Sequence, residues 1–471
     1  MDTRLSSALA AGKLAGLLSR RLGAGGGTTL PGELAALVDP HVLAKLAERL
    51  SRGCVVVTGT NGKTTTSRLI SNVLTAAGWR PVHNRAGANL LSGITSALVN
   101  RSGLRGRLPA DVGLFEVDEA VMPEAVGPLE PRVVILTNLF RDQLDRYGEV
   151  DYLAGLWRKA LAGLPADSTV VLNADDPLVA SLGEGIRARV VHYGVDDERV
   201  GASQLEHAAD SKVCVACGAP YDYSVAYYGH VGKYRCPRCG RGRPAPAVAA
   251  RRVDLVGVEG ACLAVATPAG EMALRLSLPG VYNVYNALAA TAGCLALGVE
   301  PAAIRSGVES FVAAFGRIER VHVGDKTAFL ALVKNPVGFN QVIRTVFGGP
   351  AAATSPADAE PRNALILIND HFADGTDISW LWDVDFELLR SRVGFVVVGG
   401  TRAEDMLVRL KYAGVDTSRL VLAREPEAAL KLGLGRTPSH GTLYVLPTYT
   451  AMLEVRGVLG KWRYVERFWE N

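Results

Sequence analysis

Cys54-Val55-Val56-Val57-Thr58-Gly59-Thr60-Asn61-Gly62-Lys63-Thr64-Thr65-Thr66 is the stretch whose reading decides the fold. A β-branched apolar run stops at a glycine-bearing turn. A Lys-Thr pair then opens a helix-compatible segment, Ser67 to Ala77. Strand, glycine turn and helix start together form a phosphate cradle. Its backbone N–H groups and helix dipole favour anions, and Gly59 and Gly62 let the backbone approach closely. Lys63 is then expected to reach the β/γ-phosphates of ATP, and the Thr64 hydroxyl to hold Mg²⁺. Gly59, Thr60, Asn61, Gly62, Lys63, Thr64 and Thr65 are the expected nucleotide-binding residues. The general pattern has four residues between its glycines, whereas only Thr60 and Asn61 stand here. A turn that merely needs glycine would not require the lysine and threonine that follow.

Five further segments fit an ATP-dependent chemistry. Val112 to Val117 is apolar and runs into Glu116-Val117-Asp118-Glu119. Carboxylates at the C-terminal end of a strand beside a phosphate loop suit Mg²⁺, so Glu116 is expected to share the ion with Thr64. Val133 to Leu139 leads into Arg141-Asp142-Gln143-Leu144-Asp145-Arg146-Tyr147-Gly148. Val170 to Leu172 leads into Asn173-Ala174-Asp175-Asp176, and Gly280-Val281-Tyr282-Asn283 precedes an Ala-rich helix pattern. Gly316-Arg317-Ile318-Glu319-Arg320 closes the series. In this order the segments resemble the Mur ligases and the folylpolyglutamate synthases. The resemblance implies that Asn283 and Arg317 lie near the nucleotide. Three positions depart from it: Gln143, Tyr147 and Tyr282 stand where that family usually has histidine. Trp157 aligns with the lysine that many Mur ligases carbamylate as a Mg²⁺ bridge, which implies an altered or absent second metal site.

Cys214-Val215-Ala216-Cys217-Gly218 and Cys236-Pro237-Arg238-Cys239-Gly240 form a second constellation. Two such pairs build two knuckles, and four thiolates complete a tetrahedral Zn²⁺ shell without an open position. Cys214, Cys217, Cys236 and Cys239 are thus expected to hold a structural Zn²⁺. Lys212, Lys233, Arg235, Arg238, Arg241 and Arg243 make this insert basic, which a solvated face explains better than nucleic acid does. Cys54, Cys262 and Cys294 lie in apolar runs and read as core packing; none sits in a nucleophile-elbow context.

The chain has 471 residues, room for two to four domains with their own cores. Its 51 basic and 47 acidic side chains nearly cancel, which argues against a nucleic-acid or membrane-surface protein on charge alone. Residues 4–22 form an amphipathic helix pattern interrupted by Lys13, Arg20 and Arg21, too polar to span a bilayer or act as a secretory signal. A cytoplasmic enzyme is expected. The breakers divide the chain into an N-terminal helical segment 1–50, a central ATP-binding domain 51–316 and a C-terminal α/β domain 317–471. Alternating strands and helices in the central part predict a parallel sheet covered on both faces. The cysteine ribbon is inserted at 206–245. A hinge is expected around 317–325, and C-terminal strands at 364–369, 394–398, 419–422 and 442–446.

The C-terminal part departs from the Mur ligases. It carries Lys334-Asn335-Pro336 and Ala373-Asp374-Gly375-Thr376-Asp377-Ile378-Ser379-Trp380-Leu381-Trp382-Asp383. A Mur-type centre, a four-cysteine ribbon and this motif together resemble the MurT family, subunits of lipid II isoglutaminyl synthase. The resemblance covers essentially the whole chain. It implies a synthetase that uses ATP and Mg²⁺ to phosphorylate the D-glutamate α-carboxyl of lipid II. Ammonia from a separate GatD-type glutaminase subunit then replaces the phosphate. It also implies that a C-terminal aspartate completes the partner's Cys-His pair; Asp377 is the first choice, with Asp374 and Asp383 as alternatives. Lys63 and Glu116 are the expected catalytic residues of the chain itself. A Mur or folylpolyglutamate-type amino-acid ligase would share residues 53–320 but lack the ribbon and the C-terminal motif. A nucleic-acid-binding module would leave Glu116 and Asn173 to Asp176 without a role.

Overall fold

A computed structural model describes residues 2–21, 28–84, 87–141, 150–206, 209–311, 318–348 and 361–465. Arg317, Gln143 and Tyr147 lie outside the described residues. Two α/β layers and one small hairpin account for the strands.

The larger sheet contains β1 (Cys54–Thr58), β2 (Pro81–His83), β3 (Val112–Glu116), β4 (Val133–Leu136), β5 (Thr169–Asn173) and β6 (Arg189–Val195). The ribbon contributes a separate hairpin, β7 (Asp222–Tyr228) and β8 (Val231–Arg235). The sheet resumes with β9 (Val248–Leu255), β10 (Ala261–Thr267) and β11 (Gly270–Leu276), in the order β11-β10-β9-β6-β5-β4-β1-β3-β2. All pairings from β2 across to β9 are parallel, and β10 and β11 close the edge antiparallel. Every residue of β1, β3, β4 and β5 is buried. That is why these strands read as continuous apolar runs: a parallel sheet covered on both faces has no polar side. Val55 and Val57 enter one core with the helices Lys63–Ala76 and Val281–Ala296. Cys54 and Val56 enter the other with Leu91–Arg101 and Val150–Ala162.

The N-terminal helices Thr3–Arg21 and Leu30–Val38 pack on Leu91–Arg101 through small residues. A Cβ at Gly32 would lie 2.0 Å from the Ser92 carbonyl oxygen, so this contact requires glycine.

The smaller sheet contains β12 (Ile318–Val323), β13 (Lys326–Ala331), β14 (Arg362–Leu367), β15 (Val393–Gly399), β16 (Leu420–Leu422) and β17 (Thr442–Pro447). Its order is β12-β13-β17-β14-β15-β16, parallel except for the β12–β13 hairpin. The expected hinge is therefore mostly strand. Gly324-Asp325 between two β-compatible runs is a two-residue hairpin signal, with Gly324 at φ 64°. Glu319 pairs with Arg456, tying β12 to the helix Tyr449–Lys461.

The reading of Cys262 as a core residue is corrected: it is exposed, because β10, next to the edge strand β11, alternates buried and open positions. Cys54 and Cys294 are buried, and burial pushes the Cys54 thiol up to about 12.

His83 ends β2 with Nε2 buried and without a hydrogen-bond partner. Burial, then the nearby Arg68 charge, draws its ring down to about 4. An unfolded histidine takes up its proton near pH 6.5, whereas the folded ring stays neutral until about 4. Stability is therefore lost as pH falls through that window. Urea midpoints at pH 7 and pH 4.5 should differ less for His83→Gln than for the wild type; an equal difference would remove His83 as a contributor.

Candidate functional site

The strand order reverses at β1, which lies between β3 and β4. Connections leave a β1 of this kind toward opposite sides, so a crevice opens beyond its C-terminal end. The loop Gly59–Gly62 fills that position and runs into the helix Lys63–Ala76. Gly59 has φ 132° and Gly62 φ 88°. A Cβ at Gly59 would lie 2.1 Å from Thr137 Oγ1, and one at Gly62 would lie 2.1 Å from Asn286 Oδ1. Both glycines are thus dictated by backbone angle and by close approach.

Neighbouring segments brace the loop. The Asn61 N–H donates to Asn138 Oδ1 at 2.9 Å, and Asn138 Nδ2 donates to the Asn61 carbonyl at 3.0 Å. Thr137 Oγ1 donates to the same carbonyl at 2.7 Å. Thr60 Oγ1 accepts from the Phe140 N–H at 2.9 Å. From the smaller sheet's side, Asn335 Nδ2 donates to Asn61 Oδ1 at 3.0 Å and Lys334 Nζ approaches the Thr60 carbonyl at 3.5 Å. Asn335 also caps the helix Pro336–Phe347, its side chain accepting from the Gly338 N–H. Sequence reading quoted Lys334 and Asn335 without a role. Asn followed by Pro marked a helix start, but not which loop it would meet.

Thr64 Oγ1 donates to Glu116 Oε1 at 3.0 Å. Asn84 holds the Glu116 backbone from both sides: its Oδ1 accepts from the Glu116 N–H and its Nδ2 donates to the Glu116 carbonyl. Glu116 is 4% exposed, and its Oε2 is buried without a hydrogen-bond partner. A buried carboxylate oxygen in that state is costly unless a cation takes it up. The pair fits a Mg²⁺ ion, which binds through one or two protein oxygens plus phosphate and water. Lys63 Nζ donates to the Gly59 carbonyl at 2.6 Å and pairs with Glu119 Oε1 at 2.9 Å. Trp157, wholly buried, donates from Nε1 to the Glu119 carbonyl at 2.7 Å. The tryptophan at the expected lysine position therefore supports the partner of Lys63.

A cleft opens beside Asn61, Gly62 and Thr65. Leu278, Tyr282, Asn283 and Phe311 line it from the larger layer, and Leu332, Lys334, Val337 and Gln341 from the smaller one. Its walls are largely apolar with a few polar groups, the usual makeup of a small-molecule site. Of the expected residues, Asn61, Gly62, Thr65 and Asn283 line this cleft, while Thr64 and Glu116 meet at the start of the helix Lys63–Ala76. Asp175 and Asp176 do not face the cleft. Asp176 caps the helix Pro177–Ser181, accepting from the Leu178 and Val179 N–H groups. Asp175 accepts from Tyr285 Oη at 2.6 Å and pairs with Arg243. Burial pushes the Asp175 carboxyl up, against the pull of that arginine.

The four sulfurs of Cys214, Cys217, Cys236 and Cys239 all lie within 4.8 Å of one another, the one such cluster among the described residues. Cys214–Cys239 and Cys217–Cys236 are each 3.5 Å apart. A disulfide needs about 2.05 Å. A tetrahedron with Zn–S bonds of about 2.3 Å has edges of about 3.8 Å, so the set is compatible with zinc. Gly218 and Gly240, at φ 70° and 77°, turn each knuckle. Burial raises the Cys214 thiol, but the Ala216 and Cys217 N–H groups outweigh it and bring it down to about 6.

Fold and site define a Mur ligase-type protein, a class that implies ATP and Mg²⁺. The family model for the Mur ligase middle domain matches residues 57–236, and that for the MurT ligase C-terminal domain matches 332–452. A solved pseudomurein peptide ligase type C from Methanothermus fervidus superposes with TM-score 0.65 at 22% identity, covering 88% of this chain and 80% of that one. The lipid II isoglutaminyl synthase (glutamine-hydrolyzing) subunit MurT of Streptococcus pneumoniae is 33% identical over 99% of both chains. The subunit of the same name from Staphylococcus aureus is 32% identical over 93% of this chain and 94% of its own. The chain belongs to the MurT family.

The aspartates named from the C-terminal motif separate clearly. Asp374 is buried and accepts from the Thr450 N–H and hydroxyl at the start of the helix Tyr449–Lys461. Asp377 is exposed, accepts from the Ser379 N–H at 2.8 Å and its hydroxyl at 3.0 Å, and is held below the usual carboxylate range by them. Asp383 is also exposed. Phe372 and Trp382, near both in sequence, are 78% and 56% exposed. No helix among the described residues is long and apolar enough to cross a membrane.

Proposed function

We propose that this chain is the ATP-dependent synthetase subunit of a lipid II isoglutaminyl synthase. The observation that carries the proposal is the buried, partnerless Glu116 Oε2 beside the Thr64 hydroxyl and the Lys63 loop. A carboxylate does not react with an amine at neutral pH, because oxide would have to leave. Transfer of the γ-phosphoryl of ATP to the D-glutamate α-carboxyl makes an acyl phosphate and ADP. Ammonia attacks its carbonyl carbon, phosphate leaves, a proton is lost, and D-isoglutamine results. Lys63 moves from Glu119 to the phosphates and offsets their charge. Thr64 and Glu116 would hold Mg²⁺, which supplies charge neutralisation at the transferring phosphoryl group. Gly59, Thr60, Asn61, Gly62 and Thr65 cradle the nucleotide, with Asn283 and Arg317 at its side. The four cysteines hold a structural Zn²⁺.

Burial raises the Cys54 and Cys294 thiols, which makes both poor nucleophiles, and the MurT relatives are named as subunits, so we take ammonia to come from a GatD-type glutaminase subunit. Asp377 serves that partner, orienting its histidine, because both Asp374 oxygens are engaged by Thr450. We read residues 1–50, 51–316 and 317–471 as the working units, with a cytoplasmic location at the inner face of the membrane that carries lipid II.

The test incubates the purified chain with ATP, Mg²⁺, lipid II and concentrated ammonium, and follows carboxyl-to-amide conversion by mass spectrometry. Conversion supports the synthetase reading. ATP turnover stimulated instead by an added amino acid would favour an amino-acid ligase. With the glutaminase present, Asp377→Ala should lower glutamine-driven conversion by about a hundredfold or more while ammonium-driven conversion persists. Equal loss in both arms would take Asp377 out of the partner's site.

A further inference from the structure

The cysteine ribbon reaches further into the molecule than a surface insert would. Its hairpin carries Cys236 directly after β8, while Cys214 and Cys217 precede β7. The four-cysteine cluster therefore closes the open end of the hairpin, with Tyr221 and Tyr234 packed on it. The opposite end, Tyr227 to Val231, is buried in the main core. Gly229 takes φ 52° there, and a Cβ on it would lie 2.7 Å from the Phe140 ring. The His230 ring, fully buried, stands 4.3 Å from the Phe140 ring.

Tyr228 is the residue this tip delivers. Its ring lies 5.9 Å from Phe140 and 5.3 Å from Tyr285, and it lines the cleft beside Asn61 and Asn138. Phe140, on which its ring packs, is bonded through both backbone groups to Thr60 of the phosphate loop, and Asn138, beside Tyr228 in the cleft wall, holds both backbone groups of Asn61. One side chain thus separates the ribbon tip from the phosphate loop. At the ribbon's base, Glu206 is buried and takes Gln341 Nε2 at 3.1 Å and Arg344 Nε at 2.9 Å, from the helix whose cap Asn335 touches Asn61. The ribbon meets the nucleotide loop along two routes.

We infer that Tyr228 is a positioning residue of the nucleotide cleft, and that filling of the four-cysteine cluster and occupancy of the cleft are thermodynamically coupled through it. The physical reason is that a two-stranded hairpin is barely stable alone. Closing its open end favours the one geometry in which Tyr228 packs on Phe140 and stands beside Asn138 in the cleft wall. By linkage, a nucleotide that needs Asn138 and Asn61 in place must in turn favour the closed cluster. The inference rests on reading the cleft as a nucleotide site and the cluster as a zinc site.

The test uses the full chain with its zinc. Transfer of zinc to a chromogenic chelator is timed with and without a non-hydrolysable ATP analogue and Mg²⁺, and analogue affinity is measured by calorimetry. In the wild type the analogue should slow zinc transfer at least about fivefold. Tyr228→Ala should keep one zinc per chain, bind the analogue more weakly and lose most of that slowing. Tyr228→Phe, which keeps the ring packed on Phe140, should retain most of the slowing, a rescue that separates the ring contact from misfolding of the alanine variant. Unchanged zinc transfer despite measured analogue binding overturns the coupling, as does undiminished slowing in Tyr228→Ala. Absence of analogue binding in the wild type would instead sink the synthetase reading, and the coupling with it.

Discussion

Lys63→Ala should lower ATP-dependent amidation by at least about a hundredfold, with ammonium or glutamine as the nitrogen source. The loop supplies backbone N–H groups, but Lys63 is the one cation among the cradle residues, Gly59 to Thr65. Its ammonium now rests on the Gly59 carbonyl and on Glu119, and both side chains are under 10% exposed. Removing it leaves the buried Glu119 carboxylate without this cation beside the incoming phosphates, so repulsion adds to the lost attraction. Loss of activity should therefore come with weaker nucleotide binding. A variant that binds ATP normally and amidates at more than a tenth of the wild-type rate would contradict the assigned role. Circular dichroism serves as the control, since the helix Lys63–Ala76 keeps its packed face in the variant.

Removing a cysteine from the ribbon should have the largest effect on stability. Cys236→Ser is expected to release zinc and to lower the melting temperature by about 5 °C or more. Cys236 is wholly buried, and each sulfur of the set has another 3.5 Å away. Without an ion, four close sulfur groups have nothing to draw them together. The hairpin tip then loosens in a core it shares with β6 and the helix Val281–Ala296. Metal content by mass spectrometry and melting by calorimetry check this. A zinc-free variant that melts like the wild type would make the ribbon an appendage rather than part of the core.

Much of the fold was legible because its determinants are local. β1 shows as an uninterrupted apolar run since both its faces are covered. The phosphate loop shows because two glycines and a Lys-Thr pair stand at a strand-to-helix junction, and the ribbon because its cysteines come in spaced pairs. β12 was missed because its short edge strand alternates polar and apolar residues, and its pairing is visible only through the Gly324-Asp325 turn. Cys262 was misread because an apolar run does not state which of its alternating positions face the core.

The sequence by itself determined the chemistry on offer: an anion-binding loop with a lysine, a carboxylate at a strand end, four thiols in knuckle spacing, and the family those motifs identify. Only the tertiary structure decided which of these meet. It set Glu116 Oε1 against the Thr64 hydroxyl, put Trp157 behind Glu119, and brought Asn335 and Tyr228 to the Asn61 loop. It also separated a buried, capping Asp374 from an exposed Asp377 only three positions on. Motif chemistry depends on residue type and spacing over a few residues. These meetings depend on pairings far apart in the chain, which hydrophobic packing of whole layers selects and no short stretch encodes.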